Sequence, residues 1–316
     1  MNEQNESERR LVIDCHHRKI LQYGRLNGAY HFHLMLRPLS DGDTDPEDIF
    51  STSLQTLYGY EPISHSSAGK VFTYTTTKTP STPRSSSLTT MSLRTPDTQP
   101  ANWALHASSV WVSSLYLADH IEDLCLNQHL NGNPPENKIR VLELGAGAGL
   151  PSILIAKNNR AVQMTASDFP DDDLIRSLSD NVQNNGVSDR CRVVSYAWGT
   201  EASILTRELF DVIIACDTLW NPDLHSPFIH TLCTLLRKTS GARVHLIAGL
   251  HTGRYTLQSF MDAAKGAGLD IRSAQEKEVN GSAQREWSLD TAATEDEVQR
   301  RQWVVWMTLA WPLDRI

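Results

Sequence analysis

Cysteine is scarce and never paired at short spacing. The five of them (Cys15, Cys125, Cys191, Cys216 and Cys233) are an odd number with no Cys-x-x-Cys pair. That excludes a zinc knuckle and a disulfide framework, and it suits a reducing compartment. Basic charge is also short. Across 316 residues, 29 lysines and arginines face 37 acids, for a net charge of −8. An extended phosphate backbone would be repelled on average, so nucleic acid is not an expected partner. No run of 18 apolar residues occurs, so no membrane-spanning helix is expected. The polar first residues lack the apolar stretch of a secretory signal. These absences together suit a soluble chain of the cytoplasm, with the nucleus also open to it.

Metal-binding patterns are missing too. Asp41-Gly-Asp-Thr-Asp45 begins like a calcium loop, but Pro46 and Thr52 stand where glycine and glutamate are needed. The acids Asp171, Asp172 and Asp173 read as first-turn helix charges favoured by the macrodipole. No metal is expected.

What is present is an ordinary globular balance. Hydrophobic residues make up 40% and charged residues 21%, enough to bury a core and far from a disordered composition. The pattern divides near residue 100. Residues 1–100 read as an extension, with a helix over residues 8–21, an acidic loop, and a hairpin over residues 70–95. In that hairpin two threonine-rich alternating runs flank Thr79-Pro-Ser-Thr-Pro-Arg84, with a disordered linker as the competing reading. Residues 101–316 read as one domain. A helix is expected over residues 103–126. After it, apolar strands at 139–144, 162–167, 191–196, 211–216, 243–250, 271–278 and 303–311 are separated by helices at 150–157, 171–184, 222–237 and 255–267. Continuous apolar strands alternating with helices predict a mostly parallel seven-stranded, Rossmann-like α/β sheet covered on both faces.

The segment that carries chemistry is Val141-Leu-Glu-Leu-Gly-Ala-Gly-Ala-Gly-Leu-Pro151. A strand runs into Gly145, Gly147 and Gly149, and a helix follows. Glycines there admit positive φ and a backbone approach too close for any Cβ. A loop at a strand's carboxyl end is where open α/β sheets bind nucleotides. Spacing narrows the ligand. The dinucleotide pattern would need its third glycine at Leu150, and the phosphate-binding P-loop would need a lysine that this loop lacks. Glu143, just before the loop, would repel pyrophosphate but could face a cation. That favours S-adenosylmethionine, which carries a sulfonium and an α-amino group. Asp168 ends the next strand, where an acid can accept ribose hydroxyls. Trp198 follows the third strand and can lie against adenine. Asp217, Trp220 and Asn221 follow the fourth.

With Trp111 upstream, these segments (Val141–Pro151, Asp168-Phe-Pro170, Trp198-Gly199 and Asp217-Thr-Leu-Trp220) resemble the class I seven-strand methyltransferases. Within them they resemble the family 16 group of protein lysine methyltransferases. The acidic run after Asp168, with Asn181 beyond it, resembles the fungal branch labelled nicotinamide N-methyltransferase-like, some of whose members modify a translation elongation factor. The resemblance covers residues 101–316 and the hairpin. It implies that Trp111, Glu143, Gly145, Gly147, Gly149, Asp168, Trp198 and Asp217 bind cofactor, and that Asp217 and Trp220 act on the substrate. Trp220 stands where the family has tyrosine, and Ala197 where relatives often have an acid. The expected activity is S-adenosylmethionine-dependent N-methylation of a protein lysine by a monomer, with a translation factor as a candidate substrate. A small amine or heteroaromatic acceptor, or an inactive cofactor-binding scaffold, are the alternatives.

Overall fold

The apolar runs at the centre of the region 139–311 become strands of one sheet because both of their faces are covered, whereas the strand over 270–278 is polar and half-buried. The computed structural model describes residues 20–26, 29–35, 60–76, 90–130, 138–201 and 209–316, with single positions at 53, 57 and 205. The chain divides into two compact units, residues 1–53 and 54–316.

In the first unit, β1 (Ile20–Leu26) pairs antiparallel with β2 (Ala29–Met35). The expected acidic loop is therefore strand over 29–35, and residues 20–21 open β1. The rest of the expected helix lies outside the described residues. The missed signal was Asn27-Gly28 between runs rich in tyrosine, phenylalanine and leucine, a dipeptide that suits a two-residue hairpin turn.

The second unit begins with short pieces. The bridge strand β3 (Ser64–His65) pairs with β6 (Val110–Trp111), and β4 (Val71–Thr75) pairs antiparallel with β5 (Thr90–Arg94). Residues 60–76 and 90–100 thus share the compact unit of the main sheet. The helix expected over 103–126 is broken. A 3-10 turn at Pro100–Leu105 ends at His106 with φ +53°, α1 spans only Val112–Asp119, and 3-10 turns follow. Trp111 is consequently extended and precedes α1 rather than lying within a helix.

The main sheet contains β7 (Ile139–Leu144), β8 (Val162–Asp168), β9 (Cys191–Ser195), β10 (Val212–Cys216), β11 (Arg243–Gly249), β12 (Asp270–Glu278), β13 (Gln284–Glu286) and β14 (Trp303–Ala310). Their order is β13-β12-β14-β11-β10-β7-β8-β9. Strands β7 to β11 are parallel, and β14 runs antiparallel to both β11 and β12. This is the expected seven-stranded Rossmann-like arrangement, with β13 as a short eighth strand at the edge. Helices α1, α2 (Leu150–Asn158) and α3 (Asp172–Asn184) pack one core face. Helices α4 (His225–Leu235) and α5 (Arg254–Gly266) pack the other. Strand β7 lies between β8 and β10, so the strand order reverses there. That is the switch point at which open sheets gather ligand-binding loops.

Asn185 donates to the Ser92 carbonyl of the hairpin (3.1 Å), and one further side chain ties the hairpin to the switch point. Asn181, on α3, accepts from Arg94 N–H (2.8 Å) and donates to the carbonyls of Arg94 (2.8 Å) and Ala148 (2.9 Å). It pairs with β5 as a strand would and at the same time holds the glycine loop.

Candidate active site

The carboxyl ends of β7, β8 and β10, with the turn after β9, converge on a cavity of about 190 Å³. Its floor is the glycine loop. Gly145 and Gly147 have φ of +71° and +53°, the left-handed region that favours glycine. A Cβ on Gly145 would stand 2.9 Å from Thr218 Cγ2, whereas one on Gly147 would meet only the Ala107 carbonyl at 3.9 Å. The first glycine is required by packing, and the second leaves bare backbone on the cavity.

Asp168, at the end of β8, anchors this floor. Gly147 N–H donates to its Oδ2 (2.6 Å) and Phe169 N–H to its Oδ1 (2.7 Å). Burial pushes its carboxyl up to about 6, against the pull of those two donors. Each oxygen keeps a lone pair beyond the backbone bond it accepts. Thr218 also lines the cavity, its Oγ1 buried and without a hydrogen-bond partner among the described residues.

Asp217, after β10, holds φ +51°, uncommon for a residue with a side chain. Its carboxylate explains the conformation. Oδ1 accepts from Gly249 N–H (2.6 Å) at the end of β11, and Oδ2 from Ser113 N–H (3.3 Å) in the first turn of α1. Aromatic rings surround the opening. His106 meets Trp220 edge-on with centroids 5.0 Å apart and Trp111 at 6.2 Å, and its carbonyl accepts from Trp111 Nε1 (2.8 Å). His251 stacks on Trp111, 5.8 Å away and 16° from parallel. Its ring covers Gly249, where a Cβ would collide with it at 2.2 Å. Burial lowers its basicity, opposed by the charge of Asp217, so the imidazole stays neutral at neutral pH. On the far wall, Trp198 packs edge-on against Phe228 at 4.6 Å.

Of the nine residues singled out in the sequence, Trp111, Gly145, Gly147, Asp168, Trp198, Asp217 and Trp220 line this cavity. Glu143 and Gly149 do not. Glu143 alternates with Val141 and Ile139 on the strand face beneath α2, where Ser152 donates to its Oε2 from N–H (3.0 Å) and hydroxyl. Burial pushes its carboxyl up to about 8, so it does not present a negative charge to a ligand. Gly149 opens α2 at φ +83°, and a Cβ there would strike Leu178 at 2.5 Å. Both residues shape the loop from behind. Asp171 is the N-cap of α3, accepting from Asp173 and Leu174 N–H, while Asp172 and Asp173 are the first-turn acids. Sequence reasoning missed His106, His251 and Ser113, which carry no motif and reach the site only through the fold.

Fold and site together define a Rossmann-like methyltransferase domain with its glycine loop after the first sheet strand. The chain belongs to the lysine methyltransferase family, whose model matches residues 101–266. A relative from Schizosaccharomyces pombe, the protein N-terminal and lysine N-methyltransferase efm7, is 29% identical over 185 residues, covering 55% of this chain and 69% of that protein. The protein of the same name from Neurospora crassa is 28% identical over 231 residues, covering 66% and 75%. Among solved structures, TrmN from Thermus thermophilus is a distant likeness. It is 16% identical, with a TM-score of 0.41 over 60% of this chain and 48% of that one.

Proposed function

We propose that the chain methylates a lysine amine on a folded protein, with S-adenosylmethionine held in the cavity that the glycine loop and Asp168 line. The observation that carries this reading is the pairing of a bare-backbone floor at Gly147 with the part-satisfied Asp168 carboxylate above it. A ribose diol suits the lone pairs that Asp168 retains, and Trp198 offers a face for adenine. When bound, the cofactor supplies a sulfonium-activated methyl carbon.

The acceptor nitrogen must shed its proton first, at a cost of roughly 4 kcal/mol for an ordinary lysine near neutral pH. Asp217 receives and orients the incoming ammonium. Two backbone donors already share its charge, which limits how strongly it would hold the proton on nitrogen. Trp111, Trp220 and His106 exclude water from the opening, and desolvation favours the neutral amine. His251, being neutral, places no positive charge behind that wall. Catalysis then rests on positioning rather than on a strong base.

The resemblance to the fungal branch supports a translation factor as the substrate, and the names of the two relatives add a protein N-terminal amine as a second acceptor. The experiment is transfer of a labelled methyl group to purified translation elongation factor, followed by mass-spectrometric mapping. Label on lysine, or on lysine and the N-terminus, is the expected result. Label confined to a small amine, with none on protein, would overturn the reading.

A further inference from the structure

At the amino ends of the strands, on the opposite edge of the sheet from the glycine loop, lies a cavity of about 1120 Å³. Its wall is cationic, although the chain as a whole is acidic. Lys138 and Arg140 enter β7, Arg192 lies near the start of β9, and Arg243 begins β11.

The acids in the wall are already committed. Asp211 is ion-paired with Arg237 (2.8 Å) and accepts from Arg140 N–H (3.0 Å), and Asp123 pairs with Lys277 (3.2 Å). Among the described residues, the side chains of Lys138, Arg140 and Arg243 have no carboxylate partner. Arg243 donates only to the carbonyls of Ser240 (2.7 Å) and Ala242 (2.8 Å).

His245 lines the same cavity and is 6% exposed. Its Nδ1 accepts from Trp306 Nε1 (3.2 Å), so the proton of the neutral ring sits on Nε2. That Nε2 is buried and has no partner among the described residues. Burial and the positive charge of His129 and Arg243 push its basicity down to about 4, which keeps the ring neutral and Nε2 a donor. The ring is thus an uncharged part of the wall, and its buried Nε2 lies out of a ligand's reach.

We propose that this cavity is a binding site for a compact polyphosphate anion, held by the guanidinium forks of Arg140 and Arg243 and by Lys138. Arginine forks match phosphate oxygens in pairs, which suits this donor set. Compactness follows from charge. A long polyanion would run out of the cavity onto a chain of net charge −8, whereas a small one stays within the cationic wall.

The test is calorimetric titration of the full chain with sodium tripolyphosphate, with a 20-nucleotide single-stranded RNA as the comparison. The variant is Lys138→Gln/Arg140→Gln, at one exposed and one half-buried position, with a thermal melt to show that it folds. Saturable one-site binding that weakens at least tenfold in the folded variant is the expected result. Three results would overturn the proposal: no saturable binding by the folded wild type, equal binding by the variant, or RNA binding more tightly than tripolyphosphate.

Discussion

Replacing Asp217 by asparagine separates its charge from its conformation. Asparagine tolerates φ +51° nearly as well as aspartate, so the left-handed backbone is kept. Its carbonyl oxygen can still accept from Gly249 N–H, which now bonds at 2.6 Å. The amide nitrogen would then face Ser113 N–H, donor against donor, at a cost of about 1–3 kcal/mol in stability. The larger effect falls on the acceptor. A carboxylate and an ammonium about 4 Å apart attract by about 4 kcal/mol at an effective dielectric near 20. Allowing for the two backbone donors that already share the charge, about 3 kcal/mol of that is at stake, on the order of a hundredfold in kcat/KM. Steady-state methylation of a protein substrate, beside calorimetry with S-adenosylhomocysteine, reads both sides. The expected result is a fall of that size in kcat/KM with cofactor affinity within about threefold of wild type. Unchanged kcat/KM together with a lowered melting temperature would refute the argument and leave Asp217 as a purely structural clamp between β11 and α1.

Three more perturbations follow from the same geometry. Gly145→Ala must hold a left-handed φ at about 1–2 kcal/mol and crowd Thr218; its melting temperature should drop by about 3–6 °C and its S-adenosylhomocysteine affinity at least tenfold, and a wild-type affinity would count against the loop as cofactor floor. Asn181→Ala removes three hydrogen bonds linking the hairpin to the glycine loop, so denaturant unfolding should show a loss of about 2–4 kcal/mol; under 1 kcal/mol would mean the hairpin is held elsewhere. The raised pKa of Asp168, about 6 against an ordinary value near 4, means that folding favours its protonated form; that contribution is present below about pH 4 and lost as pH rises through 6. Ribose hydroxyls need the ionised form, so binding runs the other way: S-adenosylhomocysteine affinity should fall as pH drops below 6, approaching tenfold per unit, and a flat profile between pH 7 and 5 contradicts the assignment.

Much of the fold was legible because its strands are continuous apolar runs buried on both faces, such as Ile139–Leu144 and Val212–Cys216, and because glycines at positive φ announce themselves by spacing. What stayed hidden depended on direction or distance. The parity of β7 turns Glu143 under α2, so an acid next to a glycine loop became a buried partner of Ser152 rather than a ligand-facing charge. The helical spacing of Val110, Leu115 and Leu117 could not show that His106 adopts a left-handed turn and that Trp111 is extended. His251 reaches the site only because β11 lies beside β10, which places Gly249 against Asp217 and the next turn over it. Such neighbours come from topology, and no local pattern encodes them.

If S-adenosylmethionine lies on the glycine loop with its ribose on Asp168, both must contribute to its affinity. Calorimetric titration with S-adenosylhomocysteine, of the wild type and of a folded Asp168→Asn variant, tests it most directly. The expected result is one saturable site in the wild type and affinity at least tenfold weaker in the variant, since asparagine can accept from only one of the Gly147 and Phe169 N–H groups and offers a donor where the ribose needs an acceptor. Equal affinity in the two proteins, or no binding by folded wild type, would contradict it.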